Sequence, residues 1–340
     1  MYLCSGMKIV IDDKIPYIRE KLALLADEVV ALRGAEITAD DVRDADALIV
    51  RTRTRCDEQL LNGSKVQFVA TATIGFDHID TSYMQHAGIT WTNCPGCNAD
   101  SVAQYLECSL LLLEREKDLQ LRGAAIGIVG CGHVGSRVKA AAERLGMHVL
   151  VCDPPLGCAE FVSMDVIEHE ADVITFHVPL NRDGQYATWH LADDAFFHRL
   201  SHVPYIINTS RGEVVDNDAL LSALREGRVR DAIIDVWENE PRLNLELLKQ
   251  VFIGTPHIAG YSADGKVNAD NMVIDALCRH FQLPHPGAIV PPELPTDFQD
   301  MGSPLDYYNP MEDSRQLKSN PQKFEVLRNN YPLRREKLHN

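Results

Sequence analysis

The sequence predicts an α/β protein of two domains, each built on a parallel sheet. Three observations carry this. Short apolar runs of strand length alternate with stretches of helical period, the pattern of βαβ units. One long helical stretch interrupts the alternation, which then resumes, so the chain reads as two units. The 340 residues, 45% of them hydrophobic, suffice for two cores.

The elements follow in order. "KIVID" (8–12) is a strand, and Met7 opens it, so the first six residues read as an upstream extension. A helical stretch near 17–26 comes next, then the strands "ALIV" (47–50), "VQFVATAT" (66–73) and "GITWT" (88–92), with short helices between. Asn98 or Asp100 can cap a helix near 99–117, whose apolar residues recur at helical spacing through Leu113. This helix is the expected crossing between domains. The second unit runs "AIGIV" (125–129), a glycine-rich turn, a helix (134–146) and "HVLVCD" (148–153). "DVITFHV" (172–178), "YIINTS" (205–210), "RDAIIDVW" (230–237) and "VFIGTPH" (251–257) continue the strands, and 262–281 reads as a helix returning to the first domain. The tail from 284 holds nine of the 17 prolines and also Phe298, Tyr307, Tyr308, Phe324 and Tyr331, aromatics that suggest docking rather than a free linker. The expected division is 1–101 as the first part of one domain, 102–285 as the second, and 286–340 as a tail for docking or dimerisation.

Formal net charge is -16, from 33 basic and 49 acidic residues. Nucleic acid and anionic membrane need a basic face, so neither is an expected partner. No run approaches the ~20 apolar residues of a membrane span, and no signal-like h-region opens the chain. Nine scattered cysteines, an odd number, suit free thiols in the cytoplasm. "CPGC" (94–97) has redox spacing but reads as a turn before a helix, and no metal site is expected. An anionic ligand must therefore meet a local basic cluster. "RTRTR" (51–55) is one. As a strand it would put Arg51, Arg53 and Arg55 on one face and Thr52 and Thr54 on the other. A turn after Val50 would instead let Thr52 and Arg51 reach an anion.

"VGCGHVG" carries Gly130, Gly132 and Gly135 in G-x-G-x-x-G order between a strand and a helix. The first glycine allows the turn, the second lets backbone approach a pyrophosphate, and the third lets helix and strand close up. The helix start at His133 and Val134 offers free N–H groups to phosphate. Asp153 ends the next strand, where a carboxylate accepts ribose hydroxyls and repels a 2′-phosphate, which predicts NAD rather than NADP. Past three later strand ends stand Arg211, Glu240 and His257. Their types suit oxidation of a 2-hydroxy acid. An arginine fork binds a carboxylate, a histidine takes the hydroxyl proton as hydride leaves to nicotinamide, and a carboxylate on the ring fixes its tautomer. Turnover should then fall at acidic pH, as the base becomes protonated.

The segments "VGCGHVG…CDPP", "NTSRGEVVDNDAL", "DVWENEP" and "TPHIAGY" resemble the D-isomer-specific 2-hydroxyacid dehydrogenases. "PGCNA", "TATIGFDHID", "LNLELL" and "IGTPHIAGYSADGK" resemble the members that oxidise 4-phospho-D-erythronate to 2-oxo-3-hydroxy-4-phosphobutanoate on the way to pyridoxal 5′-phosphate. The resemblance implies a Rossmann NAD-binding domain inserted into a flavodoxin-like substrate domain, a C-terminal tail and a homodimer. It implies Arg211, Glu240 and His257 as catalytic residues. Thr52, Thr73 and Tyr261 would contact substrate, and Asp153, Asp235, Gly260 and the backbone near Val178 and Thr209 would contact NAD. "FHVPL" has Val178 where relatives usually have Thr, which leaves only a backbone contact. Arg334 and Arg335 are a second basic pair that could reach the substrate phosphate. The alternatives are a dehydrogenase for glycerate or 3-phosphoglycerate, and a non-catalytic NAD-sensing interaction protein on the same fold.

Overall fold

The computed structural model describes residues 6–337, so of the expected six-residue extension only Gly6 falls within the described residues. The chain forms two compact units. One comprises the chain up to Asn98 with Ser262–Leu294, the other Ala99–Tyr261 with the chain from Pro295 onward.

In the first unit, β1 (Lys8–Asp12), β2 (Glu28–Leu32), β3 (Ala47–Val50), β4 (Phe68–Thr71) and β5 (Thr90–Thr92) form a parallel sheet in the order β2-β1-β3-β4-β5. This is the flavodoxin-like doubly wound order, with its switch point between β1 and β3. Sequence patterning missed β2, whose partly buried "EVVAL" has no clean alternation. Strands β1, β3 and β4 are almost wholly buried, as parallel strands covered on both faces must be.

The helix Ala263–Phe281 belongs to this unit. Val267, Val273, Ile274 and Leu277 enter the core that holds Ile9, Ile11, Ile49 and Phe68. The division expected at 285 is therefore corrected. Ser262 caps this helix by accepting from the Gly265 N–H at 2.8 Å, so the crossing back falls at Tyr261–Ser262. Asp270, on the same helix, is 1% exposed and accepts from the Tyr17 N–H at 3.2 Å. Burial pushes its carboxyl up to about 7, against the opposing pull of that N–H, Lys266 and Arg51. A raised folded pKa means the unfolded chain ionises first. Stability from this group is present below the carboxyl's ordinary value of 3.8 and is lost as pH rises from there to about 7, by roughly 4 kcal/mol at most. Asp270→Asn is thus expected to raise the melting temperature at pH 8 and to leave it nearly unchanged at pH 4. A lower melting temperature for the variant at pH 8 would refute this.

In the second unit, β6 (Ala125–Val129), β7 (His148–Cys152), β8 (Val173–Phe176), β9 (Tyr205–Asn208), β10 (Asp231–Ile234) and β11 (Ile253–Gly254) form a parallel sheet in the order β11-β10-β9-β8-β6-β7. Its switch point lies between β6 and β8, where doubly wound sheets bind ligands. Beyond the β7 edge, the Val162 N–H bonds the Val151 carbonyl at 2.8 Å without a further strand forming. The crossing helix, Ala99–Lys117, matches its expected bounds and packs on this sheet through Tyr105, Leu106, Leu110 and Leu113.

The first residues of the tail, to Leu294, belong to the first unit, and from Pro295 the tail docks on the second rather than standing apart. The helix Pro310–Ser319 lies along β11, where Ser314 Oγ accepts the Gly254 N–H at 3.0 Å and Lys318 Nζ donates to the Val251 and Phe252 carbonyls. Leu317 and Phe324 fill the core beside Ile234 and Trp237. The physical reason is the short β11, an edge whose open N–H groups need a cover. Among the described residues no helix is long and apolar enough to cross a membrane.

Candidate active site

Sheet order brings the three predicted catalytic positions side by side. β9, β10 and β11 are parallel neighbours, and Arg211, Glu240 and His257 follow their carboxyl ends. Between the first two loops Gly212 is indispensable. A Cβ there would overlap the Trp237 carbonyl and lie 2.6 Å from the Glu238 nitrogen. Trp237 in turn donates its ring N–H to the Thr255 carbonyl at 2.9 Å, tying the β10 loop to the β11 loop. Neither residue drew notice in the sequence, although "SRGE" and "DVWE" contain both.

His257 has φ 59°, a left-handed conformation rare for a non-glycine residue. The surrounding loop enforces it. The His257 N–H donates to the Asp235 carbonyl at 2.8 Å, and the Asp235 carboxylate accepts from the Ile258 and Ala259 N–H groups at 2.8 and 2.9 Å and from the Thr255 hydroxyl at 2.6 Å. Asp235, only 1% exposed, is thus mostly committed to building this loop. On the other side Arg334 binds the carbonyls of Ile258, Ala259 and Tyr261 at 3.1, 2.5 and 2.9 Å and that of Ser101 at 3.2 Å, with Tyr308 stacked 4.0 Å from its guanidinium carbon. The expectation that Arg334 meets a phosphate is therefore corrected. It is 8% exposed and holds the loop in place. Its neighbour Arg335 offers the Gln104 amide a backbone carbonyl at 3.3 Å.

The His257 ring meets Glu240 through Nδ1, 2.8 Å from Oε2 and 3.1 Å from Oε1. Glu240 Oε1 also accepts the Trp237 N–H at 3.0 Å, and Arg328 Nη1 stands 3.7 Å from Oε2. Burial works to raise the Glu240 carboxyl, but the attraction and hydrogen bond of His257, the Trp237 N–H and Arg328 together hold it below its usual range. Glu240 therefore stays ionised at neutral pH. Among the described residues Nε2 of His257 has no hydrogen-bond partner, and 28% of the side chain is exposed. That is the arrangement of a base with one nitrogen fixed and the other free. Arg211 is half-buried, with Nη1 on the Ser210 carbonyl at 2.8 Å and its own carbonyl held by the Asn208 amide at 2.9 Å.

The glycine loop follows β6. Gly130 has φ 90°, and a Cβ there would lie 2.6 Å from the His177 carbonyl and 2.8 Å from Val178. A Cβ on Gly135 would overlap the Gly130 carbonyl. At Gly132 a Cβ would meet nothing, so backbone and open space face outward where the helix His133–Arg144 begins. Val134 is half-buried in that first turn. Asp153 accepts the Cys131 N–H at 2.7 Å, beside the loop. The buried Thr209 hydroxyl oxygen has no partner. This open helix start, the adjacent carboxylate and the orphaned hydroxyl suit a dinucleotide. Gly260 sits in the turn closed by the Tyr261 N–H on the Ile258 carbonyl, 2.8 Å. Tyr261 hydrogen-bonds Arg328, a tail residue that sequence reasoning did not single out.

Thr52, Thr73 and Arg51 stand in the first unit, after β3 and β4. "RTRTR" is not a strand. The chain turns after Val50, with the Thr54 N–H 3.5 Å from the Arg51 carbonyl. Thr52 is exposed, Thr54 is buried with its hydroxyl on the Gly34 carbonyl, and Arg55 pairs with Asp57 at 2.7 Å. Arg51 donates Nη1 to the Lys14 carbonyl at 3.3 Å, while its buried Nε has no partner. The Thr73 hydroxyl is tied to Thr71 and to the Gly75 carbonyl at 2.7 and 2.9 Å. Burial pushes both thiols of "CPGC" up, Cys97 to about 11, which leaves an inert turn rather than a dithiol.

Residues 112–259 match the family described as D-isomer specific 2-hydroxyacid dehydrogenase, NAD binding domain. An erythronate-4-phosphate dehydrogenase of Bacteroides fragilis is 54% identical, over 97% of this chain and 97% of its own. One from Escherichia coli is 42% identical over 97% and 92%. Among solved structures, a NAD+-bound 3-phosphoglycerate dehydrogenase of Entamoeba histolytica has a TM-score of 0.69 and 30% identity, over 82% of this chain and 96% of its own. With relatives this similar along nearly their whole lengths, the chain belongs to the D-isomer-specific 2-hydroxyacid dehydrogenases, in the branch of the erythronate-4-phosphate dehydrogenases.

Proposed function

We propose that this chain is an NAD-dependent oxidoreductase that converts 4-phospho-D-erythronate to 2-oxo-3-hydroxy-4-phosphobutanoate, a step towards pyridoxal 5′-phosphate. The observation that carries the reading is the His257 ring, held by Glu240 at Nδ1 and open at Nε2. NAD supplies the hydride acceptor. Gly130, Gly132 and Gly135, with the helix start at His133 and Val134, receive its pyrophosphate, and Asp153 receives its ribose hydroxyls. Backbone at Val178 and Thr209, together with Asp235 and Gly260, lines the path toward the nicotinamide. Arg211 grips the substrate carboxylate with its planar fork. Nε2 of His257 takes the proton of the C2 hydroxyl as hydride leaves C2, and Glu240 stabilises the imidazolium that results. Thr52, Thr73, Arg51 and Tyr261 hold the rest of the substrate.

The protein works in the cytoplasm as a homodimer, a reading supported by the free cysteines and by the exposed Met301 and Val326 of the tail. Sedimentation that reads a monomer mass would refute the dimer. The test of function is NADH fluorescence with purified protein and NAD against 4-phospho-D-erythronate, 3-phosphoglycerate, D-glycerate and D-lactate. The expected result is the highest kcat/KM for the first. A higher value for any other acid overturns the substrate assignment.

A further inference from the structure

Arg328 lies on the short helix Phe324–Asn329, which Phe324 anchors in the core at 1% exposure. Its guanidinium hydrogen-bonds Tyr261 and stands 3.7 Å from Glu240 Oε2, the same oxygen that His257 holds at 2.8 Å. Arg328 thus lies two contacts from the imidazole. Its Nε is buried with no partner. A guanidinium offers five N–H donors, and a buried donor left without a partner is costly unless a ligand meets it.

We propose that Arg328, together with Tyr261, recognises the phosphate of the substrate and makes the site specific for a 2-hydroxy acid that ends in a phosphomonoester. This rests on the substrate reading above. Such a substrate carries two anionic groups. Arg211 meets the carboxylate, and the phosphate needs a second cation in a chain of net charge -16. Only two carbons and an ester oxygen separate C2 from phosphorus. The phosphate therefore stays close to C2, and the cation that meets it belongs to the surroundings of His257, to which Arg328 is linked through Tyr261 and Glu240. Arg334 cannot serve, because both its terminal nitrogens are bonded to carbonyls. Burial opposes the charge on Arg328, yet Tyr261, Glu240 and Glu325 favour it, and a guanidinium stays protonated.

The experiment compares 4-phospho-D-erythronate with D-erythronate in the wild type and in Arg328→Gln and Arg328→Lys. NAD binding and melting temperature are measured alongside. The expected result is a fall of about 10²-fold in kcat/KM for the phosphorylated acid in Arg328→Gln, mostly through KM. The preference for the phosphorylated over the plain acid should collapse with it, and Arg328→Lys should restore part of it. If Arg328→Gln does not fold, Arg328→Lys carries the test through the same ratio of the two acids. A parallel fall for both acids, preference intact, overturns the proposal, because Arg328 would then act only through Glu240. A wild type with no preference for the phosphorylated acid overturns the substrate reading itself.

Discussion

Replacing His257 with Gln should lower kcat by about 10²–10⁴-fold while NAD still binds. Gln keeps a hydrogen-bonding side chain of similar reach but cannot take a proton. His257 makes no contact with the glycine loop among those seen, and its backbone is fixed by Asp235 rather than by its ring. The loss should therefore fall on the chemical step. Glu240 helps to separate the two ionisations. Held below the usual carboxylate range, it stays ionised through the neutral region and does not itself contribute a fall of kcat/KM there. Glu240→Gln should keep some activity but weaken that base, because an amide neither stabilises the imidazolium nor fixes the tautomer as firmly. Stopped-flow NADH fluorescence from pH 5 to 8 reads both variants. A His257→Gln enzyme within tenfold of wild type, or a flat wild-type profile, would remove His257 from the proton transfer.

The reason these three residues could be read from the sequence is that each follows a buried apolar strand by a few residues. The strands "YIIN" and "DAII" and the run "VFIG" before His257 announce themselves, and in a parallel sheet their carboxyl ends define one side. The glycine pattern was legible because its spacing lies between a strand and a helix and because Gly135 is crowded by nearby Gly130, although the backbone that crowds Gly130 itself, at His177, is distant in sequence. What escaped notice depends on contacts distant in sequence. Arg334 reaches Ser101 across 233 positions, and nothing in "LRREK" distinguishes a carbonyl clamp from a phosphate ligand. Arg328 meets Tyr261 only because the tail covers β11. For "RTRTR" alternation left strand and turn both open, and the turn expected after Val50 is the one that forms. The buried Thr54 hydroxyl on Gly34 turns the chain there.

Gly212 is the sharpest case of such hidden dependence. Gly212→Ala is expected to lower kcat/KM by at least about 10²-fold, although the added methyl touches neither substrate nor cofactor. Its Cβ would overlap the Trp237 carbonyl, and the obstructing atoms are backbone, with no flexible side chain to swing away. The loops after β9 and β10 must then part. Arg211 adjoins Gly212 directly, and Glu240 receives the Trp237 N–H at 3.0 Å, so the carboxylate anchor and the partner of His257 move relative to each other. A displacement near 1 Å suffices for a loss of that size, because the reacting groups act only in one geometry. Overpacking should also cost about 1–3 kcal/mol of stability. NAD binding separates this from general unfolding. The glycine loop follows β6, two strands away from β9 in the sheet, so the variant should still bind NAD at temperatures where it is folded. Near-normal turnover in Gly212→Ala would show that the two loops are free to separate, and that their close approach does not set the catalytic geometry.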